Sequence, residues 1–313
     1  MSQAFFETTV ENVRERHSLN VRDRLAAEEP LEIQLCYGPA TARATKSISV
    51  TMRTPGDDLE LAAGFLMTEG VLKDPADIHS LEYGPQGERP PLALFDKQEN
   101  ALSDLPGRNR VVVQLAPDVK VSLATLERNF YTTSSCGVCG KASLLALRAA
   151  CPPRVAQNFH VDTGMLYELH SRLRTAQEVF QQTGGIHSAA LFNTKGELMR
   201  IREDVGRHNA LDKLIGTSLL EDELPLRERL LLLSGRASFE LMQKTIMAGI
   251  GMVAAFGAPS SLAVALAKEF DITLIGFLKN DHFNVYHGAW RLRTGHAGAD
   301  ARLSPGPDAE RPH

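Results

Sequence analysis

Cysteine is scarce in this chain, four residues in 313, and aromatic residues make up only 6%, with a single Trp. So few thiols in so long a chain cannot be the framework of a small secreted scaffold. The opening MSQAFFETTVENVRERH has no apolar stretch that would serve as a signal peptide. The expected location is therefore a reducing cytoplasm, with free thiols. A surplus of positive charge is missing too: 34 Lys and Arg stand against 38 Asp and Glu, a formal charge of -4. General binding to a phosphate backbone needs a strongly basic surface, so nucleic acid is not an expected partner. Nor is a membrane. The uncharged run from Thr245 to Ala267 is long enough to span a bilayer. However, Gly249, Gly251 and Gly257-Ala258-Pro259-Ser260-Ser261 would break a spanning helix twice, and lipid offers no partners for the freed backbone groups. It reads instead as the end of one helix, a buried strand and the start of another helix.

What is present is an ordinary globular composition, 43% hydrophobic and 23% charged, in a chain long enough for one large or two ordinary domains. No internal repeat at a fixed period is visible. Residues 1–20 are charged and weakly periodic, and residues 294–313 are rich in Gly, Pro, Ala and charge; both read as mobile tails. Residues 21–133 read as a smaller α+β domain. Within it, LEIQLCY (31–37) and SISVTM (47–52) alternate apolar and polar residues as paired half-buried strands do. LELAAGFLMTEGVL has helical spacing behind an N-cap at Asp57 or Asp58. A Pro/Gly/charge-rich excursion fills 84–110 ahead of the strand VVVQL (111–115).

The second half, 141–293, has a stronger rhythm. Helices are expected over KASLLALRAA (141–150) and around 165–182, then SAALF and ELMRIRE as paired strands across Asn193-Thr194-Lys195-Gly196. VGRHNALDKLIG opens a helix; LLLLSG, MVAAFG and ITLIGF are strands, the first two feeding helices. Apolar strands alternating with amphipathic helices predict βαβ units and a largely parallel sheet between helical layers. In such sheets ligands sit where carboxyl ends of strands meet helix N-termini.

The sharpest feature lies between the halves, at 134–140: Ser134-Ser135-Cys136-Gly137-Val138-Cys139-Gly140, followed by Lys141. A zinc or iron-sulfur site would want further thiols nearby, whereas Cys36 and Cys151 each stand alone. A thioredoxin-type pair would want an aromatic neighbour, and here hydroxyls and glycines surround it. A reactive thiol on a loop fits better. The glycines relax the backbone, Ser134 and Ser135 can cap the helix beginning near Lys141, and that helix's dipole and Lys141 favour a thiolate. Lowering a thiol pKa from ~8.5 to ~7 raises the thiolate fraction at neutral pH from a few per cent to roughly half.

Three more stretches each follow a strand and open a helix: Glu203-Asp204-Val205-Gly206-Arg207-His208-Asn209, Ser234-Gly235-Arg236-Ala237-Ser238 and Gly257-Ala258-Pro259-Ser260-Ser261. Exposed backbone N–H groups beside Arg207 or Arg236 suit phosphate or pyrophosphate. The plainer reading makes Ser234, Ser238 and Ser260 helix caps and pairs Arg207 with Asp204. His187, after Gly184-Gly185-Ile186, can line the same cleft or be a satisfied structural residue.

Taken in order, TSSCGVCGKAS, GGIHSAALF, EDVGRHNALDKLIG, SGRASFELMQK, AFGAPSSLAVALA and LIGFLKNDHFNVY, with PLEIQL and MRTPGDDLELAAGFLMTEG before them, resemble the FdhD family of formate dehydrogenase accessory sulfurtransferases. The resemblance implies a sulfur carrier that takes persulfide sulfur from a cysteine desulfurase and passes it to the molybdenum cofactor, bis-molybdopterin guanine dinucleotide, before that cofactor enters formate dehydrogenase. It makes Cys136 the persulfide-forming residue and Cys139 its partner. It places cofactor contacts on Phe277, Leu278, Lys279, Asn280, Asp281 and His282, to which the anion-binding reading adds Arg207, His208, Ser234, Gly235 and Arg236. It implies a homodimer, no resident metal, and a C-terminal three-layer sandwich like the cytidine deaminase fold. Deaminase chemistry does not come with it, because Ser188 and Ala189 follow His187 where the zinc signature needs H-x-E. Two other readings of the same residues are a non-covalent cofactor chaperone and a dithiol oxidoreductase.

Overall fold

The computed structural model describes residues 4–15, 17–84, 109–121 and 158–294. Strands β1 (Phe5–Arg14) and β2 (His17–Ala26) form an antiparallel hairpin, with Val10 opposite Val21. Residues expected as a mobile tail are thus regular strand. Neither face of the hairpin enters the core: β1 alternates half-buried and exposed residues only over its first half, and β2 is exposed as far as Leu25. Strands β3 (Glu29–Tyr37) and β4 (Ala44–Arg53), helix α1 (Asp58–Thr68), and strands β5 (Ile78–Tyr83) and β6 (Arg110–Leu115) follow. The four strands make one sheet in the order β4-β3-β6-β5. β3 pairs with β4 as its alternation requires, turning Leu31, Ile33 and Leu35 into the core. Asp57 is the N-cap of α1, in the left-handed region at φ 52° and without a side-chain cap bond. Asp58's carboxylate instead accepts from Nε (2.9 Å) and Nη2 (3.0 Å) of the fully buried Arg53.

The second half contains β7 (Val161–Asp162), α2 (Thr163–Ala176), α3 (Glu178–Thr183), β8 (His187–Phe192), β9 (Leu198–Asp204), α4 (Arg207–Leu220), β10 (Leu230–Leu233), α5 (Phe239–Met247), β11 (Met252–Ala255), α6 (Ser261–Glu269), β12 (Thr273–Gly276), β13 (Asn284–His287) and β14 (Leu292–Arg293). The single helix expected around 165–182 is broken at Gln177, whose buried side chain donates to the Ser188 hydroxyl at 3.0 Å. The segment 245–267 is helix end, strand and helix start, and no helix among the described residues is long and apolar enough to cross a membrane.

Six strands form the central sheet in the order β13-β12-β11-β10-β8-β9. Here the expectation of a largely parallel sheet is corrected. Only the β10–β11 and β11–β12 pairings are parallel; the β8–β9, β8–β10 and β12–β13 pairings are antiparallel. An apolar strand covered on both faces reads the same whichever way its neighbour runs, so direction was not in the pattern.

Each face of this sheet is covered. Phe192, Leu230, Leu232 and Met252 pack beneath Leu166, Leu169 and Leu173 of α2. Leu191, Leu231, Val253 and Leu274 share the other core with α4, α5, α6 and α1, and that core continues into Leu31, Ile33 and Val113 of the first sheet. The fold is therefore mixed α/β, with α1 and α4 layered between two sheets. The division near residue 134, the helix at 141–150 and the C-terminal tail from 295 lie outside the described residues.

Candidate functional site

Because β8 runs against β10, its first residue, His187, lies at the same sheet edge as the carboxyl ends of β10, β11 and β12. Asp204, the last residue of β9, pairs with His187 there. The turns predicted to bind an anion are thus neighbours. Backbone hydrogen bonds continue past the strand ends: Ser234 N donates to Ser188 O at 3.1 Å, Gly257 N to Gly235 O at 2.9 Å, and Phe277 N to Gly257 O at 3.2 Å. The turns approach so closely that a Cβ on Gly257 would sit 3.1 Å from the Gly235 carbonyl oxygen.

A pocket of about 280 Å³ opens at this edge, lined by Arg174, Phe180, Gly185, His187, Ser234 and Phe256 among others. The Arg174 guanidinium stacks over the Phe180 ring at 4.6 Å, and the His170 ring contacts Phe256 at 4.7 Å. Sequence reading missed Arg174, Phe180 and Phe256. The first two belong to different helices across the Gln177 break, and no period or motif joins them.

The hydroxyls behave as caps and props. Ser238 accepts from Leu241 N at 3.4 Å, Ser260 from Ala263 N at 3.2 Å, and Ser234 Oγ from Ser188 N at 2.9 Å. The pairing of Arg207 with Asp204 is not formed. Asp204 takes Lys213 Nζ at 2.8 Å, Thr54 N at 3.1 Å, Gly206 N at 2.8 Å and Asn209 Nδ2 at 3.0 Å. Most of EDVGRHNALDK therefore docks the first half of the chain onto the second. Arg207 is left at the start of α4 with no ion pair or hydrogen bond among the described residues, as is the exposed Arg236.

Arg207 acts on its neighbours through its field. Burial, reinforced by the Arg207 charge, pushes His187 down; burial, then Arg207 and Lys244, push His208 down to about 4. His208 Nε2 lies 3.7 Å from a Glu240 carboxylate, and burial's upward pull on Glu240 is exceeded by hydrogen bonds and by His208 and Arg207, which hold it low. Near neutral pH the edge thus presents neutral imidazoles beside a guanidinium. The sign for stability follows. An unfolded His208 takes a proton near its ordinary 6.5 and the folded one only near 4, so stability present above pH 6.5 is lost as pH falls between those values. Urea midpoints at pH 7 and pH 5 should fall further for the parent than for His208→Gln; equal falls would remove His208 as the cause.

The stretch 277–282 closes the edge. Lys279, Asn280, Asp281 and His282 are exposed, with His282 Nδ1 2.8 Å from Asp281 Oδ1. Phe277 is 39% exposed at φ 54°, whereas the Leu278 side chain is in the core, so only its backbone borders the edge. Cys136 and Cys139 lie outside the described residues.

A family model described as the FdhD/NarQ family matches residues 26–293. The chain belongs to the FdhD/NarQ family. Among its relatives, the sulfur carrier protein FdhD of Streptomyces coelicolor is 50% identical over 272 residues, covering 86% of this chain and 89% of the relative. That of Streptomyces avermitilis is 49% identical over the same shares, and that of Sulfurisphaera tokodaii is 40% identical over 84% of this chain and 89% of its own. A solved protein from Desulfotalea psychrophila superposes with a TM-score of 0.67 at 22% identity, covering 93% of this chain and all of its own, a likeness of fold. In this FdhD/NarQ protein the matched span includes the whole edge just described and the Cys136–Cys139 pair, and excludes the hairpin up to Leu25.

Proposed function

We propose that this protein is a sulfur carrier for formate dehydrogenase maturation. Cys136 thiolate attacks the outer sulfur of a desulfurase persulfide; the S–S bond there breaks, the desulfurase thiolate leaves, and Cys136 carries the persulfide. Cys139 then attacks the inner sulfur. The two cysteines are oxidised to a disulfide while the outer sulfur leaves at the sulfide level, to replace an oxo ligand of molybdenum that departs as water. A cellular thiol reductant restores the pair. The acceptor, bis-molybdopterin guanine dinucleotide, is substrate rather than resident cofactor.

The observation that carries the reading is the convergence at one sheet edge of Arg207, Arg236 and Lys279 with the turns after β10, β11 and β12, on a chain of this family that also has a CxxC. Cations without an ion pair among the described residues, and backbone N–H groups, suit the acceptor's pyrophosphates. A pocket of about 280 Å³ is at the small end of ligand sites, and so fits one moiety of that acceptor rather than the whole. The desulfurase donor, the homodimer and kinship with the cytidine deaminase fold belong to this same proposal.

Incubation with a cysteine desulfurase and cysteine, followed by mass spectrometry of the peptide containing Cys136, should show one added sulfur. Cys136→Ala should abolish both that sulfur and the activation of formate dehydrogenase. A variant that still activates the client would leave only a non-covalent chaperone, and a reversible disulfide without any sulfur loading would leave a dithiol oxidoreductase.

A further inference from the structure

Helix α3 is six residues long, and none of its side chains is buried. A helix so short has no stability of its own, and burial does not supply it. Yet α3 carries Phe180, whose ring lies 4.6 Å from the Arg174 guanidinium and forms with it one wall of the pocket. What anchors that wall to the sheet is polar, and it comes from one cross-strand pair. Ser188 of β8 stands opposite Glu203 of β9. The Ser188 hydroxyl accepts from Gln177 Nε2 at 3.0 Å, at the break between α2 and α3. The Glu203 carboxylate has no ion pair among the described residues. One of its oxygens accepts from Val179 N at 2.9 Å and the other from Phe180 N at 3.0 Å.

We propose that Glu203 is a positioning residue for ligand binding: by holding the first turn of α3 it fixes Phe180 against Arg174, the wall on which a flat ring of the acceptor stacks. The inference rests on the reading of this edge as the acceptor's cleft. Guanidinium and phenyl planes receive a flat heterocycle such as guanine, provided that they are held at one spacing. The carboxylate is not there to stabilise the fold. Burial pushes the Glu203 carboxyl up; the Val179 and Phe180 N–H groups oppose this only in part, and the Glu178 charge adds to it. A carboxyl raised in the folded state costs stability at pH values above its folded pKa, and the cost disappears as pH falls and the group takes a proton. A charge that is unfavourable for the fold while it fixes one wall of a cleft is the kind of group that function retains.

Glu203→Gln keeps the size and one acceptor oxygen but turns an amide N–H toward the second backbone N–H. The probe is GDP, the nucleotide part of the proposed acceptor, titrated calorimetrically into the full chain. The variant should bind it about tenfold more weakly. The Val179 and Phe180 amides should exchange with deuterium at least about tenfold faster, while the urea midpoint at pH 7 does not fall. Ser188→Ala, which frees only Gln177, should weaken GDP binding in the same direction. Equal GDP affinity in parent and Glu203→Gln overturns the positioning role. So does a loss of affinity that comes with a lower urea midpoint, the mark of a merely structural residue. A parent that binds no GDP overturns the cleft reading and this proposal with it. Sulfur loading of Cys136, measured separately, does not depend on Glu203.

Discussion

Gly216→Ala is expected to lose at least about 3 kcal/mol of stability, although alanine is intrinsically about 1 kcal/mol the better helix former. The reason is the crossing of α1 and α4. A Cβ on Gly216 would overlap the Glu60 carbonyl oxygen and lie 2.7 Å from Gly64 N; one on Gly64 would overlap the Asp212 carbonyl oxygen and lie 2.7 Å from Gly216 N. The two backbones touch where each helix has no side chain. A flexible side chain in the way could swing aside, but a carbonyl fixed in a helix cannot. The helices must therefore separate, and with them Leu61, Leu66, Leu211, Leu214 and Ile215, all in the core that joins the two sheets. Gly64→Ala should cost a similar amount, and the double variant less than the sum, because the first substitution has already opened the crossing. Gly185→Ala is the control, since its Cβ would meet only ordinary contacts at 3.8 and 3.9 Å. Urea unfolding that places Gly216→Ala within 0.5 kcal/mol of Gly185→Ala would show that the crossing tolerates a methyl group.

That crossing marks how far the sequence could be read. Strands with one buried face and helices with apolar stripes were visible because burial imposes a period, as in Leu31, Ile33 and Leu35 or in the β10-to-β12 series. Ser238 and Ser260 could be read as caps because an N-cap acts within its own helix. What depends on a distant partner was not legible. EDVGRHNALDK reads as an anion-binding turn, yet Asp204, Asn209, Asp212 and Lys213 face residues more than a hundred positions away, at Thr51, Thr54 and Thr68. The adjacent Asp212 and Lys213, set among Leu211, Leu214, Ile215 and Gly216, were the available signal that the charged face is buried. Of the candidate site, the edge on which the turns meet followed from the strand–turn–helix rhythm. The aromatic wall of Phe180 and Phe256 did not, since it depends on how α2 and α3 fold back on the sheet.

Lys244→Met should be the most damaging single change in the polar layer between the two halves, at about 3–5 kcal/mol. Lys244 Nζ holds both Asp212 oxygens, at 2.9 and 2.8 Å, and the Thr68 hydroxyl at 2.9 Å; all three residues are buried. Burial pushes the Asp212 carboxyl up, and the Lys244 charge and the hydrogen bonds only partly oppose it. A buried pair of this kind need not repay its own desolvation, and its value is in fixing how α1, α4 and α5 meet. Removing only the cation leaves a buried carboxylate with the Thr68 hydroxyl, at 3.0 Å, to offset its burial, so Asp212 must take a proton or draw in water. Removing both charges, in Lys244→Met with Asp212→Leu, should recover most of the loss, because an apolar pair needs no compensation. The signature of this mechanism is a strongly positive coupling in the double-mutant cycle; additive losses would mean that the two residues act separately. The same change reaches the site. Lys244 is one of the charges that hold His208 down, so in Lys244→Met the His208 titration followed by NMR should move upward from about 4 while His187, which Lys244 does not influence, stays where it is.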